Sequence, residues 1–304
     1  MRVIEVSEAG GPDVLRVSER PDPVAGQGQA VVRIAAANIN PTDLGARGGR
    51  FARDPVEPPF VLGWDFAGEV TAVGDGVSEF APGDSVIGML HWYDLKGTAG
   101  AYAEAIAAPV EWLVALPKGL GETEAATIPL NALTADQGIA LLDLAPASTL
   151  LVTGASGGVG GFVVQLAAQA GHRVIALAGR DDEDWPASLG ASEVLARDTD
   201  LAAIEQVDAM FDAVPIGEAA AVAVRDGGTI VTIRRTDTFE PGRGIRKQGF
   251  LIHSDRGRLR ELVDDVAEGR LKTRVAVTLP LAEAAEGHRL VEAGGLHGKV
   301  VLVP

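Results

Sequence analysis

The segment Ser148–Arg180, STLLVTGASGGVGGFVVQLAAQAGHRVIALAGR, constrains the fold more than any other part of the chain. An apolar run leads into a glycine turn, then a stretch with helical spacing, then a second apolar run. Two strands joined through one helix must lie parallel, and the crossover is right-handed. The alternation continues through Glu193–Ala196, Asp208–Val214, Gly227–Ile233 and Gly249–Ser254. Repeated βα units predict a doubly wound parallel sheet.

The chain before this region has a different period. Val3–Val6 and Val14–Val17 alternate around Gly10-Gly11-Pro12-Asp13, a hairpin signal. Ala30–Ile39, Phe66–Gly74 and Asp84–Met89 read as further strands broken by Gly and Pro, which predicts a barrel-like β domain. Glu122–Leu142 predicts helix with a break near Pro129. After the βα region, Arg256–Leu271 and Leu281–Gly295 have helical spacing, and KVVLVP closes the chain as a strand. The expected class is α/β: a barrel-type β domain plus a doubly wound sheet.

Charge and composition exclude several roles. With 26 Lys+Arg against 42 Asp+Glu, the formal net charge is −16. A chain this acidic lacks the basic face that meets nucleic-acid phosphate or an anionic membrane surface. There is no cysteine, so there is no disulfide, no thiolate nucleophile and no Cys-held zinc. MRVIEVSEAGG shows no apolar signal core, and no stretch of about 18 apolar residues exists. The expectation is a soluble cytoplasmic protein.

The glycine turn carries chemistry. Gly154-Ala155-Ser156-Gly157-Gly158-Val159-Gly160 has glycines at every third position between a strand and a helix. A pyrophosphate needs backbone N–H groups to approach with no β-carbon in the way, and the helix N-terminus adds partial positive charge. Gly157 permits the approach, and Gly160 lets the helix pack on the strand. A dinucleotide is therefore expected on Gly154, Ser156, Gly157, Gly158, Val159 and Gly160. A strand that selects NAD usually ends in an acid about 20 residues after the turn. Here the strand ends at Gly179 with Arg180 next, which favours the 2′-phosphate of NADP(H). Asp181-Asp182-Glu183-Asp184 follow directly, and these acids offer Arg180 competing partners.

Several motifs together carry a family resemblance: Ala37-Asn38-Ile39-Asn40-Pro41-Thr42-Asp43, Pro59–Val70, Asn131–Ala135, the Gly154–Gly160 turn and Gly298–Leu302. In this order they resemble the zinc-independent quinone oxidoreductase-like branch of the medium-chain dehydrogenase/reductase superfamily. The resemblance implies a GroES-like catalytic domain from residues 1–122 and 254–304, and a Rossmann domain from 123–253, with cofactor and substrate meeting in the cleft. It also implies a homodimer. In the zinc-dependent alcohol dehydrogenases of the superfamily, Cys and His stand where this chain has Asn40 and Trp64, so no metal is expected. Without a Lewis acid, the reaction expected is hydride transfer from NADPH to an already polarised acceptor, a quinone or an enone.

The resemblance places Asn40 beside the nicotinamide, with its amide free to donate to an acceptor oxygen. Asp43 is a further catalytic candidate or a structural acceptor; in the plainer reading Asn40 and Asp43 only organise the turn around Pro41. Arg47 is positioned to pair with Asp43. A Tyr frequent in the family is replaced by Phe51, which has no proton to give. His91, Trp92, Tyr93 and Tyr102 remain as acceptor-pocket candidates, Tyr93 foremost, with ordinary packing as the alternative. Thr134, Gly179, Val214, Ile233, Leu251 and Lys299 match family positions near the cofactor. Two other functions stay open: an enoyl reductase for larger enones or thioesters, and a non-catalytic NADPH-binding sensor or scaffold.

Overall fold

The computed structural model describes residues 1–51, 53–179, 181–233 and 238–304. In chain order the first elements are β1 (Arg2–Val6), β2 (Leu15–Glu19), β3 (Gln29–Asn38), α1 (Pro41–Arg47), β4 (Phe60–Val61), β5 (Asp65–Val73), β6 (Ser85–Met89), β7 (Ala105–Pro109), β8 (Leu113–Ala115) and α2 (Glu122–Ala125). Next come α3 (Pro129–Leu142), β9 (Thr149–Thr153), α4 (Gly158–Gln169), β10 (Arg173–Ala178), α5 (Asp184–Ser188), β11 (Glu193–Ala196), β12 (Val207–Asp212), α6 (Ala219–Ala223), β13 (Val224–Thr232) and β14 (Arg246–Gly249). The chain finishes with α7 (Arg256–Ala267), β15 (Val275–Pro280), α8 (Ala284–Ala293) and β16 (Lys299–Val303).

These elements form two compact units. One comprises Met1–Leu130, His253–Arg270 and Arg274–Pro304; the other comprises Asn131–Ile252 and Leu271–Thr273. In the first unit, β1 and β2 form the expected hairpin, with Val6 opposite Leu15, and β4 adds to β1. A seven-stranded sheet runs β15-β16-β3-β5-β6-β8, and β7 pairs with β3 on the side. Alternation along β3 follows its position: Val32, Ile34 and Ala36 are fully or nearly fully buried while Arg33 faces solvent. The C-terminal strand β16 closes this sheet, antiparallel to β3 with Val301 opposite Asn38.

The second unit holds a six-stranded, all-parallel sheet in the order β11-β10-β9-β12-β13-β14. Its strands read as continuous apolar runs because both faces are covered; Leu150, Leu151 and Val152 have no exposed surface. The chain reverses direction in the sheet between β9 and β12, which flank each other with crossovers running opposite ways. That topological switch point lies at the carboxyl ends of the strands, where open α/β sheets bind ligands.

Two readings shift. The strand expected at Gly249–Ser254 is β14, Arg246–Gly249, and residues 250–254 form no strand. Strand β15 has no counterpart among the expected elements. The break expected near Pro129 is present: α2 ends at Ala125 and α3 opens at Pro129, a first helical position where a missing N–H costs nothing.

Aromatic packing anchors the first unit. Trp92 is fully buried and lies 4.6 Å from Trp64, 5.6 Å from Phe60 and 5.2 Å from Tyr93, ring centre to ring centre. Its indole Nε1 donates to the Val61 carbonyl at 2.6 Å. Trp92→Ala removes that ring and leaves the carbonyl unpaired. Denaturant titration should show a loss of about 3–5 kcal/mol, the scale for large aromatic truncations; a loss below about 1 kcal/mol would show that the site collapses around the missing ring.

Candidate functional site

The glycine turn of the second unit is built by close backbone approach. Gly154 has φ of 58°, and a β-carbon there would lie 2.5 Å from Val214 Cγ2. A β-carbon on Gly160 would lie 2.2 Å from the Gly154 carbonyl oxygen, so helix α4 packs on the turn only because residue 160 is glycine. Gly157 is the N-cap of α4 and is exposed, while Ser156, Gly158 and Val159 are half-buried. The loop after β12 is tied to the end of β9: Thr153 Oγ1 donates to Asp212 Oδ1 at 2.8 Å and accepts from the Val214 N–H at 2.9 Å. Asp212 Oδ2 accepts from the Ile216 N–H at 3.1 Å. Val214 is thereby fixed beside Gly154 with 56% of its surface exposed. Ile233 follows β13, Leu251 lies after β14 and is more than a third exposed, Thr134 is buried on α3, and Gly179 follows β10. Arg180 lies outside the described residues.

In the first unit a buried polar cluster gathers around Asp65. Asn38, Asn40, Asp43 and Asp65 have no exposed surface. Asp65 Oδ2 accepts from Asn40 Nδ2 at 2.8 Å and Asn38 Nδ2 at 3.2 Å, and Oδ1 accepts from the Leu130 N–H at 3.0 Å. Asn40 Oδ1 accepts from Asn38 Nδ2 and from Lys299 Nζ, each at 3.0 Å. Lys299 opens β16 and is half-buried; its other two ammonium protons meet no group among the described residues.

Asn40 and Asp43 also build the start of α1. Asn40 is extended at the N-cap, Pro41 takes the first helical position, and Asp43 Oδ2 accepts the Asn40 N–H at 2.8 Å. Asp43 Oδ1 accepts the Gly63 N–H at 2.9 Å. Gly63, with φ of 102°, can present that N–H because any side chain would strike the backbone N–H groups of Ala101 and Tyr102. Arg47 does not pair with Asp43. It is buried and donates to Gly10 O, to Glu292 and to His288 Nδ1, the last at 3.1 Å. A guanidinium only donates, so His288 Nδ1 accepts and its proton sits on Nε2, 3.1 Å from the Tyr102 hydroxyl.

Burial dominates the electrostatics. It pushes Asp43 up to about 8 and Asp65 up to about 6, the latter opposed by the amides of Asn40 and Asn38. Burial lowers Lys299 to about 8 against the attraction of Asp65 and Asp43. His288 falls to about 3, first from burial and then from Arg47, and is neutral at any ordinary pH. Tyr102 is raised well above its usual value by burial and by Asp43.

Comparison with known proteins places this arrangement. The family model described as an alcohol dehydrogenase GroES-like domain matches residues 26–118, and that described as a zinc-binding dehydrogenase matches residues 189–302. The chain is 31% identical to the chloroplastic NADPH-dependent alkenal/one oxidoreductase of Arabidopsis thaliana, covering 100% of this chain and 80% of that protein. The chain belongs to the quinone and alkenal oxidoreductases of the medium-chain dehydrogenase/reductase superfamily. Among solved structures of the superfamily, the quinone oxidoreductase of Coxiella burnetii superimposes with a TM-score of 0.91 at 28% identity, covering 100% of this chain and 99% of that one. A structure described as an NAD-dependent alcohol dehydrogenase superimposes with a TM-score of 0.88 at 34% identity, each chain fully covered. The fold thus agrees with the α/β, GroES-like plus Rossmann reading.

One matched superfamily model is named for zinc, but the donor set here does not suit that ion. Asn40 and Trp64, the residues that the resemblance sets in the ligand places, are engaged otherwise: Asn40 bonds Asp65 and Lys299, and Trp64 packs against Trp92. No group of three His, Cys, Asp or Glu among the described residues could hold a metal ion. The ammonium of Lys299 donates to Asn40 Oδ1. Of the pocket candidates, Tyr93 is half-buried against Trp64 and Trp92 with Arg53 over its ring, Phe51 stacks on Trp92, and His91 stacks on Trp112. Trp92 and Tyr102 are wholly buried. Among the described residues no helix is long and apolar enough to cross a membrane. Three members of the polar network, Asp65, Asn38 and His288, carry no signal of their own in the sequence; Asn38 and Asp65 fall inside family motifs without standing out in them.

The raised Asp65 gives a pH test with a definite sign. Its folded-state value, about 6, lies above its ordinary 3.8, so the stability it contributes is present at low pH and is lost as pH rises through about 6. Asp65→Asn removes this dependence. The stability gap between wild type and Asp65→Asn should therefore narrow by about 1.4 kcal/mol between pH 5 and pH 7.5. Chemical denaturation at both pH values measures it, and a gap that widens would mean that the amide and Lys299 contacts outweigh burial.

Proposed function

We propose that the chain reduces quinone or enone-type acceptors with NADPH, without zinc. The observation that carries this reading is the ammonium of Lys299, held on Asn40 Oδ1 with two protons unspent among the described residues, beside the buried carboxylate of Asp65. The glycine turn from Gly154 to Gly160 fits a dinucleotide pyrophosphate: its close backbone packing leaves no room for β-carbons at Gly154 and Gly160, and α4 begins there. Val214, Ile233, Leu251, Thr134 and Gly179 would complete that seat, and Arg180 would meet the 2′-phosphate. NADPH, when bound, supplies the hydride.

The residues of the first unit supply position and charge. Asn40 Nδ2 faces Asp65, so in this proposal Asn40 holds Lys299 in place, and the ammonium faces the acceptor oxygen on which negative charge grows. Burial brings Lys299 down to about 8, so it is charged near neutrality yet able to release a proton to that oxygen. Asp43 spends both oxygens on backbone N–H groups and keeps Asn40 and Gly63 fixed. Tyr93, with Phe51, presents an aromatic wall on which a flat acceptor would rest.

The experiment is an NADPH-oxidation assay over quinones, enones and alkenals, with wild type and Lys299→Met. Wild type should turn over at least one class, and Lys299→Met should lower kcat about 10²–10³-fold while NADPH affinity changes little. No turnover by wild type on any acceptor rejects the reading. Full activity in Lys299→Met rejects the role of the ammonium.

We further propose a cytoplasmic homodimer. Strand β14 pairs only with β13 among the described residues and leaves an open edge to the six-stranded sheet. Pairing of two such edges about a two-fold axis closes it. Light scattering should give about twice the 31.4 kDa of one chain; the mass of a single chain at micromolar concentration would refute it.

A further inference from the structure

Strands β10 and β11 run parallel with Ala178 opposite Ala196. The next residue on each is Gly179 and Arg197. Gly179 occupies the place where a sheet of this kind, when it selects NAD, carries an acid for the ribose 2′-hydroxyl. Here that place has no side chain, and the neighbouring strand fills it: a β-carbon built on Gly179 would lie 3.3 Å from Arg197 Nη2. The guanidinium therefore lies where the acid of an NAD-selective strand would begin.

Arg197 is exposed and makes no hydrogen bond or ion pair among the described residues. That sets it apart from its neighbour on the same two strands, Arg173, which is paired with Glu193 at 2.8 Å. The acids Asp181, Asp182, Glu183 and Asp184 follow the end of β10, and none of them engages Arg197. A guanidinium has five donors in a planar fork that matches a phosphate monoester. Its position at the carboxyl end of β11 puts it on the ligand-binding rim of the sheet.

We infer that Arg197 is a specificity-determining residue that receives the 2′-phosphate of the cofactor. The inference rests on the NADPH reading above and adds a second cation, from a different strand, to the one expected at Arg180. It also accounts for how a loop of four acids can follow β10 without repelling a phosphate: the cation comes from β11 and is not drawn into that loop.

The test is equilibrium titration of the full chain with NADPH, NADH, 2′-AMP and 5′-AMP, for wild type, Arg197→Gln and Arg197→Lys. Wild type should prefer NADPH over NADH and 2′-AMP over 5′-AMP. Arg197→Gln should weaken NADPH and 2′-AMP about tenfold or more, the scale of a lost charge-assisted hydrogen bond, and leave NADH and 5′-AMP within about twofold. Arg197→Lys keeps the charge but not the fork, so it should fall between the two. If wild type binds NADPH and NADH equally, the cofactor reading fails and this inference with it. If wild type prefers NADPH and Arg197→Gln keeps that preference undiminished, the inference alone is overturned. Should Arg197→Gln fail to fold by thermal melting, Arg197→Lys decides: unchanged NADPH and 2′-AMP affinity rejects the role, and a selective few-fold loss supports it.

Discussion

A carboxylate with no solvent must find its hydrogen bonds in the protein, and Asp65 finds them in three separate parts of the first unit. It draws in Asn38 at the end of β3, Asn40 at the cap of α1 and the N–H of Leu130 on α3. A buried charge left unpaired is costly, so each of these segments is held where Asp65 needs it. Lys299 brings the opposite charge from β16, the far end of the chain. The cluster is thus as much a device for closing the seven-stranded sheet as a chemical one, and the helix α1, the loop at Gly63 and the start of β16 all take their places from it.

What the sequence discloses depends on whether the relevant residues are neighbours in it. The dinucleotide turn is legible because its whole geometry lies within seven consecutive residues, and the backbone contacts of Gly154 and Gly160 are those the spacing calls for. The parallel sheet is legible for the same reason, one βα unit at a time. Asp65 is not, because its partners lie 25 and 27 residues away in one direction and 65 in the other. His288 reads in the sequence as a scattered histidine; only the fold sets it between Arg47 and Tyr102, which lie 241 and 186 residues off. The strand expected over Gly249–Ser254, apolar at Phe250–Ile252, shows another limit. Those apolar residues lie just past β14, whose own sequence, RKQG, is polar because it lies at the sheet edge. Likewise β15 alternates half-buried and exposed residues and carries little of the apolar signal that marks a central strand.

An ammonium is a different electrophile from a metal ion. It offers one charge and directed protons where zinc offers two charges and open coordination. It cannot hold an alcohol as its alkoxide, but it can share a proton with an oxygen that becomes basic during the reaction. The surrounding residues suit that chemistry. Asn40 Oδ1 accepts from Lys299, and Asp65 favours the charged ammonium while burial works against it.

The second unit is threaded into the first as an insertion, since residues 131–252 interrupt a unit that resumes at His253. The pairing of Val301 with Asn38 must therefore close a loop of more than 250 residues. Loop-closure entropy rises only as the logarithm of length, about 0.6 kcal/mol for each doubling. If the inserted sheet forms first from its own sequential βα contacts, it shortens the effective loop by about half and recovers about that amount. The equilibrium gain is small; the consequence is one of order in time. The inserted sheet has mostly near neighbours to find, whereas the cluster around Asp65 waits on the last strand, so the polar centre of this protein is the part of the fold expected to be assembled last.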